Sequence, residues 1–251
     1  MPVITLLTDF GTADPYVAEM KGVLLSRAPG VTLVDLSHGI APGQIRTAAY
    51  LLGRAWHRFP TGTIHLIVID PGVGTERRAL ALTAHDHWFV APDNGILSPV
   101  LSASVVPWVL PVPPAAAPTF HGRDLFAPAA AAIAMGVPLS SLGTPLLEPP
   151  VTLAAALPHY EGKAVVGEII HVDRFGNLVT NLTPELVPPY AVLEVEGLVV
   201  GPLRQTYGDV TRGELLAYLG SGGEVEIAVR DGSAATRLGV GLGGKVVARL
   251  G

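Results

Sequence analysis

The chain has 251 residues, of which 49% are hydrophobic and 15% charged, and it carries a net charge of −5 at pH 7. That length suits one large domain or two modest ones, and the composition is that of a packed globular protein rather than a disordered segment. The acidic balance argues against nucleic-acid and anionic-membrane partners, which need a basic face, and the absence of cysteine excludes disulfides, thiolate catalysis and Cys-ligated metal.

Val3 to Leu7 reads as a strand, with no basic region or signal-like apolar run before it. No apolar run approaches the roughly 20 residues of a membrane span, so a cytoplasmic location is expected. Asp14 to Arg27 has helical spacing, Val31 to Leu36 is a second strand, and Gln44 to Phe59 a second helix. Ile64 to Ile69 is a continuous apolar strand of the kind buried on both faces. Leu80 to Thr83 and Trp88 to Val90 form a hairpin pattern, Val105 to Val109 a further strand, and Asp124 to Met135 an alanine-rich helix. Strand and helix in alternation predict a mostly parallel sheet.

The pattern changes after Leu142. The stretch from Thr144 to Tyr160 is proline-rich and aperiodic, as a linker is. Beyond it, short strand runs (Ala164 to Val172, Leu178 to Asn181, Val192 to Val195, Glu224 to Val229 and Lys245 to Leu250) are separated by glycine-rich turns. The expected architecture is an N-terminal, mostly parallel α/β sandwich domain over 1–143, a linker over 144–162, and a C-terminal antiparallel β-barrel-like domain over 163–251.

Ligands of parallel α/β sheets collect beyond the carboxyl ends of the strands, where Asp9, His38, Asp70 and Asp93 all fall. For Asp93 and His38 a turn or capping role is the simpler reading. Asp9 and Asp70 are each followed within two residues by glycine, which lets a ligand approach the backbone. Arg77 and Arg78 are adjacent and point opposite ways on an extended segment, and position alone leaves open which faces the site. His121, before Gly122 and Asp124, reads equally as a polar loop residue or as the imidazole of a small-nucleophile site. His65, His85 and His87 read as strand or surface residues. In the second domain, Asp173 and Asn177 bracket Phe175 and Gly176. This is a hairpin turn by composition, yet an aromatic beside an amide also stacks on and reads a purine edge. The turn at Ser221 suits a carboxylate held by backbone N–H groups. No GxGxxG follows the first strand, and there is no Walker A lysine motif, HExxH, HxH or dense carboxylate cluster.

TDFG from Thr8, VIDPGVGTERR from Val68, APDNG from Ala91, TFHGRD from Thr119 and DRFGN from Asp173 stand in one order along nearly the whole chain. This set resembles the S-adenosyl-L-methionine (SAM) hydroxide adenosyltransferases, or adenosine-forming SAM hydrolases, relatives of the fluorinase and chlorinase enzymes. The resemblance implies an α/β domain and a β-barrel, and a homotrimer whose active sites lie between the N-domain of one subunit and the C-domain of its neighbour. It implies a water-handling triad of Asp70, Arg77 and His121, and so selects Arg77 over Arg78. It also implies that Asp9 binds the ribose hydroxyls, that Asn177 and Phe175 meet the adenine, and that Asp14, Asp173 and Ser221 hold the methionine end. SAM is then the substrate, adenosine and L-methionine are the products, and neither cofactor nor metal is required.

Departures from the fluorinase pattern point to water rather than halide. The fluorinase has tyrosines in place of Asp70 and His121, and an additional loop after the strand matching Leu80 to Thr83. It also has an arginine where this chain has Gly222. The competing readings are a chloride adenosyltransferase, a metal-dependent phosphoesterase using Asp9, Asp70, His121 and Asp124, and a SAM- or adenosine-binding protein without turnover.

Overall fold

The computed structural model describes residues 1–250. The chain divides into two compact units, Met1–Leu153 and a second beginning at Ala154. The first contains β1 (Val3–Thr8), α1 (Tyr16–Arg27), β2 (Thr32–Ser37), α2 (Ile45–Ala55), β3 (Ile64–Val68), β4 (Ala79–Ala84), β5 (His87–Pro92) and β6 (Trp108–Leu110). A π-helical turn (Gly122–Phe126), α3 (Ala127–Ala134), α4 (Leu139–Leu142) and β7 (Thr144–Pro145) complete it.

These strands form one seven-stranded sheet in the order β2-β1-β3-β5-β4-β6-β7. The β1–β2, β1–β3 and β3–β5 pairs are parallel, whereas β4 and the strands beyond it are antiparallel. Alternation along the strands divides the core in two. Leu6, Leu66, Val68, Ala79 and Ala81 pack with Met20 and Leu24 of α1 and with the alanines of α3. Leu7, Ile67, Ile69, Leu80 and Leu82 pack with Ala48 and Leu52 of α2. All five residues of β3 are buried, as a strand covered on both faces requires. The alanines of α3 allow the helix to lie close to the sheet over β1, β3 and β5. The β4–β5 hairpin closes through His85 and Asp86, whose φ angles of 52° and 61° give the left-handed pair that suits a two-residue turn.

The order β2-β1-β3 makes the boundary between β1 and β3 a topological switch point, because the chain leaves to opposite sides of β1. Asp9 follows β1 and Asp70 follows β3, so both emerge at this boundary.

The second unit contains β8 (His159–Glu161), β9 (Ala164–Val172), β10 (Leu178–Thr180), β11 (Val192–Val195), β12 (Leu198–Arg204), β13 (Leu215–Leu219), β14 (Val225–Val229), α5 (Ala234–Leu238) and β15 (Lys245–Arg249). Seven strands close in the order β10-β14-β13-β12-β11-β15-β9, with β9 pairing back to β10, so the ring has no free edge. The early part of β9 also takes β8. Val165, Ile169, Leu178, Leu193, Ala217, Val225, Ile227 and Val246 are among the residues that fill the interior.

Three features differ from the sequence expectation. β6 begins at Trp108 rather than Val105, because the Val105 N–H is spent on Ser102 O in a turn and Pro107 has no N–H to offer. The proline-rich stretch is not structureless, since it supplies β7 to the first sheet and β8 to the second. β12, β13 and α5 come from stretches read as turn-rich, in which glycines and charged residues obscured the period.

Candidate active site

Asp70 leaves the end of β3 into the Pro71–Gly74 loop, which is built from consecutive turns. Val73 N–H donates to Asp70 O at 3.1 Å, and Thr75 N–H donates to Gly72 O at 3.1 Å. Gly74 has φ +78°, and a Cβ there would sit 2.7 Å from Pro118 O, so the loop can lie against the segment before His121 only because this residue is glycine. Gly122 is tightly surrounded by α1 and β3 instead. A Cβ there would meet Met20 Sδ at 3.2 Å and Val68 Cγ1 at 3.4 Å. Gly74 thus allows the 70–77 loop to approach the segment before His121, and Gly122 lets the π-helical turn sit close on α1 and β3. π-turns of this kind concentrate at functional sites.

The side chains meet there. Arg77 Nε donates to Asp70 Oδ1 at 2.8 Å, Arg77 Nη2 donates to Asp70 Oδ2, and Nη2 also donates to His121 Nδ1 at 2.9 Å. The Phe126 ring lies 5.1 Å from the guanidinium carbon and covers one face of it. The Asp70 and Arg77 side chains are only 5% and 10% exposed, and His121 is buried. The bonds use the Nε hydrogen and both Nη2 hydrogens. Arg77 Nη1 is buried and has no hydrogen-bond partner among the described residues. An unpaired buried donor of a charged group costs on the order of 1–3 kcal/mol or more, and a ligand oxygen that accepts from it recovers that cost.

The protonation state follows from geometry. Arginine only donates, so His121 Nδ1 must be the acceptor and the neutral ring carries its hydrogen on Nε2. Burial and the adjacent Arg77 guanidinium both hold the imidazole below its ordinary pKa, with Asp70 and Asp124 opposing more weakly. At neutral pH the cluster therefore offers two unspent donors, Arg77 Nη1–H and His121 Nε2–H, next to a carboxylate.

The two arginines diverge. Arg78 Nε donates to Asp93 Oδ2 at 2.7 Å and its Nη1 to Glu148 Oε2 at 3.0 Å, while Asp93 Oδ1 accepts from Val151 N–H at 2.8 Å. That group braces the chain after β7. Asn94 of the same APDNG motif donates to Ile69 O at 2.8 Å and fixes the end of β3. Asp124 belongs to neither the triad nor a metal set. Arg123 binds both its oxygens, and Oδ2 also accepts from Ala117 N–H at 2.9 Å. Among the described residues, no group of three or more His, Asp and Glu is arranged to hold a metal ion, so the geometry gives the phosphoesterase reading no support.

Asp9 is partly buried, and its Oδ2 accepts from Gly43 N–H at 2.8 Å, which leaves Oδ1 outside the described hydrogen bonds. The strand end that carries it is fixed by Thr8 Oγ1, 2.7 Å from His38 Nδ1, with His38 Nε2 3.0 Å from Asp35 Oδ1. Asp14 is exposed ahead of α1.

The barrel unit brings Asp173, Phe175 and Asn177 together in the β9–β10 turn. Asp173 Oδ1 accepts from Phe175 N–H and Asn177 N–H, each at 2.8 Å, so its carboxylate organises the turn itself. Asn177 is buried and Phe175 is 77% exposed. Ser221 is exposed in the turn between β13 and β14. Sequence reasoning missed Gly43, which acts through its backbone, and Phe126, which reads as an ordinary core aromatic. It also missed a polar chain behind Asn177 formed by Tyr207, Tyr218 and Glu226. One signal for it was available, an acidic residue inside the apolar run VEIAV of β14.

Comparison with known proteins agrees over both units. The family model for the SAM hydroxide adenosyltransferase N-terminal domain matches residues 4–143, and the C-terminal domain model matches residues 167–247. The chain is 45% identical to a Thermus thermophilus protein named (R)-S-adenosyl-L-methionine hydrolase, with 96% of each chain covered. It is 31% identical to a fluorinase of an Actinoplanes species, with 72% of each covered. A crystal structure of an uncharacterized conserved protein from Thermotoga maritima superposes with a TM-score of 0.89 at 34% identity, covering 98% of this chain and 99% of that one. No described helix is long and apolar enough to cross a membrane.

Proposed function

The chain belongs to the SAM hydroxide adenosyltransferase family and is a SAM-hydrolysing enzyme, and we propose that Asp70, Arg77 and His121 carry the reaction by holding one water molecule for in-line attack on C5′ of the substrate. The observation that supports this reading is the buried, unpartnered Arg77 Nη1 beside a neutral His121. A water oxygen can accept from one of these donors and keep its second lone pair for attack on C5′, and a hydroxide oxygen can accept from both.

The oxygen of water attacks C5′, the C5′–S bond breaks, and its electron pair returns to sulfur as the sulfonium becomes the neutral thioether of L-methionine. No general acid is needed for departure. Attack by neutral water leaves a protonated 5′-oxygen, which is strongly acidic. The Asp70 carboxylate keeps lone-pair capacity beyond its bonds to Arg77 and accepts that proton. His121, with Nδ1 engaged by Arg77 and hydrogen on Nε2, donates rather than accepts. The products are adenosine and L-methionine.

Asp9 Oδ1 would accept from a ribose hydroxyl, Phe175 would stack on the adenine beside Asn177, and Asp14, Asp173 and Ser221 would hold the methionine end. For Asp173 this leaves the lone-pair capacity its turn does not use. We further propose that the enzyme is a homotrimer in which the N-terminal residues of one subunit and the C-terminal residues of its neighbour complete each site. No metal or cofactor enters this scheme.

The test is incubation of the pure protein with SAM in ¹⁸O-labelled water, followed by chromatography and mass spectrometry. Adenosine labelled at the 5′-oxygen together with equimolar methionine is the expected result. Absence of turnover would reject the scheme in favour of binding alone, and 5′-chloroadenosine formed in high chloride would reassign the nucleophile.

A further inference from the structure

The barrel holds a polar chain that runs from Asn177 into the protein. Asn177 Nδ2 donates to Asp173 Oδ2 at 2.8 Å and to Tyr207 Oη at 3.2 Å. Tyr207 Oη lies 2.7 Å from Tyr218 Oη, and Tyr218 Oη donates to Glu226 Oε2 at 2.5 Å. Tyr218 and Glu226 face one another directly across β13 and β14, and both are buried. Any side chain at Gly220 would collide with the Glu226 carboxyl, so that glycine keeps the passage open for it.

The polarity of this chain is fixed from its inner end. Burial and the bond to Glu226 raise the Tyr218 pKa, so its hydroxyl keeps its proton and gives it to the carboxylate. Tyr218 oxygen then accepts from Tyr207 O–H, and Tyr207 oxygen accepts from Asn177 Nδ2–H. The Asp173 carboxylate can only accept and takes the other Nδ2 hydrogen. Both amide hydrogens of Asn177 are therefore spent, the flip of the amide is determined at two points, and Oδ1 takes part in none of the described hydrogen bonds. An amide held in this way offers a ligand a pure acceptor. Beside it stands Phe175, an exposed aromatic on the same turn.

We propose that Tyr207, Tyr218 and Glu226 are positioning residues that lock Asn177 with Oδ1 toward the purine, so that the site accepts a 6-aminopurine and rejects a 6-oxopurine. The inference rests on the reading of Asn177 and Phe175 as the adenine contact. A 6-amino group donates to Oδ1, whereas a 6-oxo group would set two acceptors against each other. A free amide could turn over to suit the oxo base, and the relay removes that freedom.

The test compares adenosine and inosine binding by calorimetry, with kcat and KM for SAM, in the unaltered enzyme and in Tyr218→Phe and Tyr207→Phe. Both variants keep the ring and remove one hydroxyl, and circular dichroism establishes that each is folded. The unaltered enzyme should favour adenosine by about 100-fold, the scale of a polar group left unpaired on binding. In either variant that ratio should fall by about tenfold and KM should rise, while kcat stays within about threefold. A merely structural role would leave the adenosine-to-inosine ratio unmoved. An unchanged ratio in both folded variants of an enzyme that hydrolyses SAM overturns the relay alone. Failure of the unaltered enzyme to bind adenosine overturns the adenine site and the relay with it.

Discussion

Two buried clusters in the first unit both contain neutral histidine, and they differ in what hydrogen-bonding capacity folding leaves over. At the middle of the sheet, Thr5 Oγ1 lies 2.8 Å from His65 Nδ1 and His65 Nε2 lies 3.2 Å from His87 Nδ1, with the His65 ring stacked 4.9 Å from Phe89. At the carboxyl end of β3, His121 bonds Arg77, which bonds Asp70. The first cluster satisfies itself among neighbouring strands and holds no formal charge. The second holds an ion pair and an unspent guanidinium donor, on loops that meet at the switch point. Burial lowers the imidazole pKa in both, down to about 3 for His65. A lowered histidine pKa therefore does not separate the two clusters; the ion pair and the unspent Arg77 donor do.

The comparison is tested most severely by removing the imidazoles. His121→Ala should lower kcat by about 10²- to 10³-fold with little change in KM, since the lost donor acts on the nucleophile rather than on SAM. A His121→Ala enzyme with near-normal kcat and a much higher KM would show that the histidine binds substrate and does not handle water.

His65 should affect stability instead. Its folded pKa lies below the unfolded value of about 6.5, so the unfolded chain binds more protons in between. Its contribution is complete above pH 6.5 and is lost as pH falls toward 3, at about 1.4 kcal/mol per pH unit. Urea unfolding at pH 7 and pH 5 should show His65→Phe losing about 2 kcal/mol less than the parent over that interval. Equal losses would mean that the core cluster is not what titrates.

A third measurement applies the same physics to the proposed site. His121 donates from Nε2 only while Nδ1 is bare and accepts from Arg77. Protonation breaks that contact and sets two cations together. Log kcat/KM should therefore be flat through neutrality and fall on the acid side below pH 6.5, by about tenfold per unit once past the lowered pKa. A limb centred above 6.5 would assign the titration to another group.

The sequence made some of this legible and hid the rest for physical reasons. The alternation of apolar runs gave β1, α1, β2, α2, β3 and the β4–β5 hairpin, because each has a dominant period and glycine or proline at its ends. β12 escaped because Gly201 and Pro202 interrupt its alternation, and β8 because a three-residue edge strand is too short to show one. Strand-end placement singled out Asp9 and Asp70. It could not show that His121 reaches Arg77, since 44 residues separate them and the 70–77 loop meets the segment before His121 only by close approach at Gly74. The Tyr207–Tyr218–Glu226 chain left only one trace, Glu226 inside the apolar run of β14, because the two tyrosines read as ordinary strand or turn residues until the barrel closes.

The smallest effect is the one that separates the two neighbouring arginines. Residues 77 and 78 are successive, so one faces the triad and the other the Asp93–Glu148 brace. Lysine keeps the charge but loses the planar fork, and the two sites need that fork to different degrees. At position 77 the fork spans Asp70 and His121 and still presents Nη1, and a lysine ammonium cannot reach all three. At position 78 the fork also reaches Glu148 and Pro149 O, but Glu148 is 82% exposed and Val151 N–H already satisfies the other Asp93 oxygen, so a single charge near Asp93 keeps the main contact. Arg78→Lys should therefore lower stability by about 1 kcal/mol and leave kcat within about threefold, whereas Arg77→Lys should fall with the His121 variant. If the Arg78 variant lost activity as severely as the Arg77 variant, the brace would be part of the site, and the line between structural and reactive charge would have to move to include Asp93.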